Sequence, residues 1–118
     1  LFRAEPELDV RIARQTVQLP LRKIQYAMSQ NHYVRVVTDD GECRAVSTFA
    51  QVEQLLRAQE NFLVCNRGVI LNMDKVLRLD CDAFEMLDGT HLPVRLKDKN
   101  TLFAQFTQYQ FHHMRREL

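Results

Sequence analysis

Apolar side chains in the first third of the chain recur at every second position: Leu8, Val10 and Ile12, then Val17, Leu19 and Leu21, then Ile24, Tyr26 and Met28. A period of two belongs to extended strands that turn one face toward a core. Tyr33 to Thr38 is dense in β-branched and aromatic residues, and Asp39-Asp40-Gly41 offers a turn before Cys43 to Val46 resumes the extended pattern, so a hairpin is predicted there. Pro20 has no N–H to give to a ladder, which assigns it to an edge, a bulge or a strand end. Thr48-Phe49-Ala50-Gln51 has the form of a capping box, with Phe49, Val52, Leu55 and Leu56 at helical spacing. It predicts a helix of about three turns ending near Glu60.

Beyond that helix, short extended runs return at 62–65, 69–71, 75–79 and 83–87. Asp88-Gly89-Thr90 turns the chain into His91-Leu92-Pro93-Val94. Asn100 or Thr101 is placed to cap a second short helix that carries Leu102, Phe103, Phe106 and Tyr109 inward. His112, His113, Arg115 and Arg116 fall near its C-terminus, where the helix dipole favours positive charge. The whole pattern predicts a mainly β fold with two short helices in a single domain spanning 1–118, a length that suits one core.

Composition adds little to that picture and removes several function classes. Hydrophobic residues are 46% and charged residues 26%, enough to build a core and too few charges for disorder. No run approaches the roughly 20 apolar residues of a membrane span, and the first residues lack a signal-peptide pattern, so no membrane contact is expected. The absent initiator Met points to a piece of a longer protein. Cys43, Cys65 and Cys81 are odd in number and far apart, which fits neither a disulfide framework nor a zinc site and suits a reducing cytoplasm. A net charge of +1 leaves nucleic-acid binding open, because phosphate contact needs only one basic face.

Catalytic chemistry is thinly represented. The serines are Ser29 and Ser47, the second of which reads as a helix-start residue, and Gly41, Gly68 and Gly89 are too few and too scattered for a phosphate-cradling loop. His112 and His113 are adjacent and would point about 100° apart on a helix, a poor metal pair. No metal or cofactor is expected. A hydrolase built on Cys65 and a distant His is the remaining enzymatic arrangement, set against a buried structural thiol.

The segment 24–38, Ile-Gln-Tyr-Ala-Met-Ser-Gln-Asn-His-Tyr-Val-Arg-Val-Val-Thr, followed by an Asp-Gly turn, resembles the start of LytTR DNA-binding domains. Residues 62–72, Phe-Leu-Val-Cys-Asn-Arg-Gly-Val-Ile-Leu-Asn, are similar to that family's central motif, an Arg-containing loop leading to a hydrophobic run closed by Asn. Val76 and Leu79, then Leu87-Asp88-Gly89 and Leu92-Pro93-Val94, continue the resemblance in order, which covers about 16–111. The chain departs from the family pattern in three motifs: Met28 replaces an acidic residue, Asn66-Arg67-Gly68 replaces His-Arg-Ser, and Arg95-Leu96-Lys97 replaces Ser-Arg-Arg.

The resemblance implies an elongated arrangement of small β-sheets whose loops enter successive major grooves of double-stranded DNA. It also implies paired direct repeats read by two copies of the domain, and a phosphorylatable receiver domain N-terminal to it in a bacterial response regulator. Asn31 and His32 on one loop, Asn66 and Arg67 on a second, and Arg95 and Lys97 on a third would supply donors to bases and phosphates. Arg67 is the leading candidate, because its guanidinium fork matches guanine O6 and N7. Its plain alternative is a surface charge or a bridge to a carboxylate such as Asp74; that of His32 is a half-buried turn residue. Leu96 is expected to pack inward on strand alternation, and Asn72 to bond backbone at a strand end. DNA contact further requires the Arg67, Arg95 and Lys97 loops on one face, clear of the Asp39-Asp40 and Asp80-Asp82 clusters. The competing reading is a protein-interaction or dimerisation module on the same scaffold.

Overall fold

The computed structural model describes residues 5–117. Seven strands, β1 (Glu7–Ile12), β2 (Gln15–Pro20), β3 (Ile24–Ser29), β4 (Val34–Thr38), β5 (Gly41–Ala45), β6 (Phe62–Asn66) and β7 (Val69–Asn72), form one antiparallel sheet in the order β2-β1-β5-β4-β3-β7-β6. Three more, β8 (Val76–Asp80), β9 (Ala83–Met86) and β10 (His91–Pro93), form a second sheet in the order β10-β9-β8. The helices are α1 (Phe49–Arg57) and α2 (Lys99–Glu117). The runs predicted from apolar periodicity and turn residues are all strands, with ends shifted by a residue or two, and Pro20 closes the edge strand β2.

Both faces of the central strands are covered, which explains why Val34 to Val37 reads as a nearly continuous apolar run. One face packs Val10, Ile24, Ala27, Val36 and Ile70 against Val52 and Leu56 of α1. The other packs Tyr26, Val37 and Leu71 against Phe84, Met86 and Leu92 of the small sheet and Phe106 of α2. Phe84 is the hinge of that second core, meeting Phe103 and Phe106 edge-on at centroid distances of 5.2 and 5.6 Å. The result measures 41 × 40 × 23 Å, a slab rather than a rod.

Four details differ from the sequence expectation. A bulge between Ile24 and Tyr26 puts these two side chains into opposite cores, although a strict period of two would align them. The capping box forms as predicted, with Thr48 Oγ1 accepting from Gln51 N and Gln51 Oε1 accepting from Thr48 N, but α1 stops at Arg57 and leaves Leu55 37% exposed. α2 is not short: it has 19 residues and starts at Lys99, so Asn100 and Thr101 lie within it and do not cap it. A 3₁₀ turn at Leu96–Asp98 runs straight into the helix, and this turn also overrides the alternation that would have buried Leu96. The side chains of Arg115 and Arg116 lie outside the described residues.

Candidate nucleic-acid interface

The three loops singled out from the sequence are the β3–β4, β6–β7 and β10–α2 connections, and strand pairing sets where they go. Antiparallel register pairs Met28 with Val69, so the β3–β4 loop and the β6–β7 turn leave the sheet at the same end. Ser29 N donates to Gly68 O at 2.8 Å, locking the two together, and Gln30 N to Tyr33 O at 2.8 Å closes the first loop on itself. Asn31 and His32 stand exposed on that loop.

Arg67 and Gly68 are the two central residues of a tight turn between Asn66 and Val69. Gly68 has φ +71°, a conformation that favours glycine, and a Cβ there would lie 3.2 Å from Ser29 Cβ, a tight contact that the neighbouring loop would have to yield to. Arg67 is exposed. The alternative bridge to Asp74 does not form: Asp74 Oδ1 instead accepts from the Tyr109 hydroxyl at 2.6 Å.

Asn66 joins the second loop to the third. Its Nδ2 donates to Pro93 O at 3.0 Å while its Oδ1 accepts from Arg67 N at 2.8 Å. The side chain is thus engaged at both ends in holding loops. Arg67 and Arg95 consequently line one cleft of about 210 Å³, together with Val64, Cys65, Asn66, Asp98, Thr101 and Leu102. Arg95, Leu96 and Lys97 are all exposed, and among the described residues no carboxylate pairs with Arg67, Arg95 or Lys97.

The requirement on acidic clusters is met by one and missed by the other. Asp39 and Asp40 sit beyond Thr38, at the far end of β4 from the Asn31–His32 loop, where they pair with Lys75 and Lys23. The Asp80–Asp82 turn borders the third loop instead, because the pairing of Pro93 with Ala83 brings Asp82 O to accept from Val94 N at 2.9 Å. Asp80 is drawn toward His91, whose Nε2 lies 3.1 Å from its carboxylate.

Two further residues bear on the site. Arg44, exposed on β5, places its guanidinium 4.0 Å from the centroid of the Tyr33 ring at the base of the first loop. The contact crosses between strands, and no local pattern marks it in the sequence. Cys65 is buried, and burial pushes its thiol up to about 12, the reverse of what an attacking thiolate needs. The cleft it lines contains no histidine.

The fold is a β-rich domain with exposed cations on adjoining loops. The LytTr DNA-binding domain family model matches residues 14–106, close to the span of the resemblance read from the motifs, and the chain belongs to that family. Among solved structures it is similar to the LytTr DNA-binding domain of a Bacillus cereus protein named as a methyl-accepting/DNA response regulator. The TM-score is 0.73 at 16% identity, over 88% of this chain and 98% of that one, a likeness of fold. No curated protein matches the chain. None of the described helices is long and apolar enough to cross a membrane.

Proposed function

We propose that this domain binds double-stranded DNA sequence-specifically, as the output part of a bacterial transcription regulator working in the cytoplasm. The supporting observation is the Asn66 bridge, which gathers Arg67 and Arg95, two exposed cations without carboxylate partners among the described residues, on the rim of one cleft. Unpaired guanidinium groups held on short, tied loops are suited to base edges and phosphates. Arg67 reads a base, Arg95 and Lys97 hold phosphates or bases of the neighbouring groove, and Asn31 and His32 reach the duplex from the first loop. Arg44 adds a phosphate contact beside Tyr33.

On this reading Asn66 acts mainly by orienting Arg67, because its side chain is already committed to protein groups on both sides. Loops in successive major grooves on one side of the duplex fit paired direct repeats, each bound by a copy of the domain. A receiver domain elsewhere in the chain, as the Bacillus cereus neighbour's description as a response regulator favours, would control how the two copies assemble.

The test is selection from a pool of random duplex DNA with the purified domain at two salt concentrations. Enrichment of a repeated motif is expected, with a log–log salt slope of about 0.9 per neutralised phosphate. A pool that stays random at low salt overturns the proposal.

A further inference from the structure

Leu96 is 76% exposed, more than any other large apolar side chain among the described residues. It opens the 3₁₀ turn between Arg95 and Lys97. Arg95 precedes that turn in extended backbone, Leu96 and Lys97 are its first two residues, and the side chains of Arg95, Leu96 and Lys97 are all exposed. The packing of α2 does not need Leu96, since the helix is fixed through Phe103 and Phe106 on Phe84.

A singly exposed leucine is ordinary on a protein surface. This one is set between two cations that have no carboxylate partner among the described residues, on a loop tied by Pro93 to the Arg67 turn. An apolar protein partner covering Leu96 would have to desolvate both charges, which is costly. A polyanion meets the cations and brings Leu96 with them into its groove. The apolar group that the major groove displays on a base edge is the C5-methyl of thymine.

We propose that Leu96 packs on a thymine C5-methyl in the groove flanked by Arg95 and Lys97, and so determines specificity at that base pair. The inference rests on the DNA reading above and adds a residue and a base to it. It also gives a role to the position where the chain departs from the family's basic triplet.

The experiment is a uracil scan on the duplex recovered by selection. Each thymine is replaced singly by deoxyuridine, which pairs identically and lacks only the methyl, and affinity is measured for the wild-type domain and for Leu96→Ala. Expected is one position at which uracil weakens the wild type about fourfold, the weight of one buried methyl-sized group. The same replacement should leave Leu96→Ala unaffected, and the variant should melt at the wild-type temperature because Leu96 packs on neither core. A wild type indifferent to every uracil, or a variant that keeps the same sensitivity, overturns the assignment while leaving DNA binding intact. Failure of the selection itself would remove the DNA reading and this inference together.

Discussion

Asn66 and Pro93, 27 positions apart in sequence, are joined at 3.0 Å by an amide N–H on a carbonyl oxygen, and this bond sets the distance between the Arg67 and Arg95 loops. Asn66→Ala removes both the donor to Pro93 and the acceptor for Arg67 N. The expected cost in stability is about 1 kcal/mol, measured by urea titration, because the site is part-exposed. DNA affinity should fall further than that, with discrimination weakened at the base pairs of both loops in a repeat selection. Asn66→Asp keeps the acceptor and loses the donor, so it should loosen the Arg95 contacts more than those of Arg67.

Asn72 is a structural residue, as its place at a strand end implied. It is 1% exposed; its Nδ2 donates to Ile24 O at 2.9 Å, and its Oδ1 accepts from Asn61 Nδ2 and Asp74 N, each at 2.9 Å. Asn72→Leu leaves those groups without partners in a closed site. We expect a loss of about 2 to 4 kcal/mol in unfolding free energy. Equal midpoints in denaturant for variant and wild type would contradict this account of the Asn that closes the central motif.

Local chemistry was readable where the deciding groups are close in sequence. The Thr48–Gln51 box, the Asp39-Asp40-Gly41 turn and the period of Leu8 and Val10 all act over a few residues, and each formed. The misses have a common cause in context. Leu96 follows a strand but begins a 3₁₀ turn, so alternation fails at it; Asn100 looks like a cap but lies inside a helix that grows out of that turn. Ile24 and Tyr26 are split by a bulge that only cross-strand register reveals. For the site, the loops were visible from their motif residues. Their gathering through Asn66 and Pro93, the bracing of Arg44 on Tyr33 and the approach of Asp82 to Val94 are long-range and follow from sheet register.

Tyr26 ties the second core to the Asp88 turn, its hydroxyl oxygen lying 3.0 Å from Asp88 Oδ2 and 3.0 Å from Thr90 Oγ1. Desolvation pushes the Asp88 carboxyl up, but the Thr90 N–H and the Tyr26 and Thr90 hydroxyls outweigh it, and its pKa ends below the ordinary value. A carboxyl depressed in the folded state stabilises above its unfolded pKa, and the contribution disappears as pH falls through the lower folded value. Tyr26→Phe should therefore cost about 1 kcal/mol at neutral pH. The gap to the wild type should narrow below about pH 4, the unfolded aspartate range. A gap that is constant from pH 7 down to the acid transition would show that the Tyr26–Asp88 contact carries no charge-dependent stability.

In the proposed function Arg67 reads a base and does not merely add positive charge. Its most direct test compares the affinities of wild type and Arg67→Ala for the selected duplex and for an unrelated duplex of equal length, at one salt concentration. A loss of about 1 to 3 kcal/mol is expected on the selected site and a much smaller loss on the unrelated one. Equal losses on both would reduce Arg67 to a phosphate contact and contradict the claim.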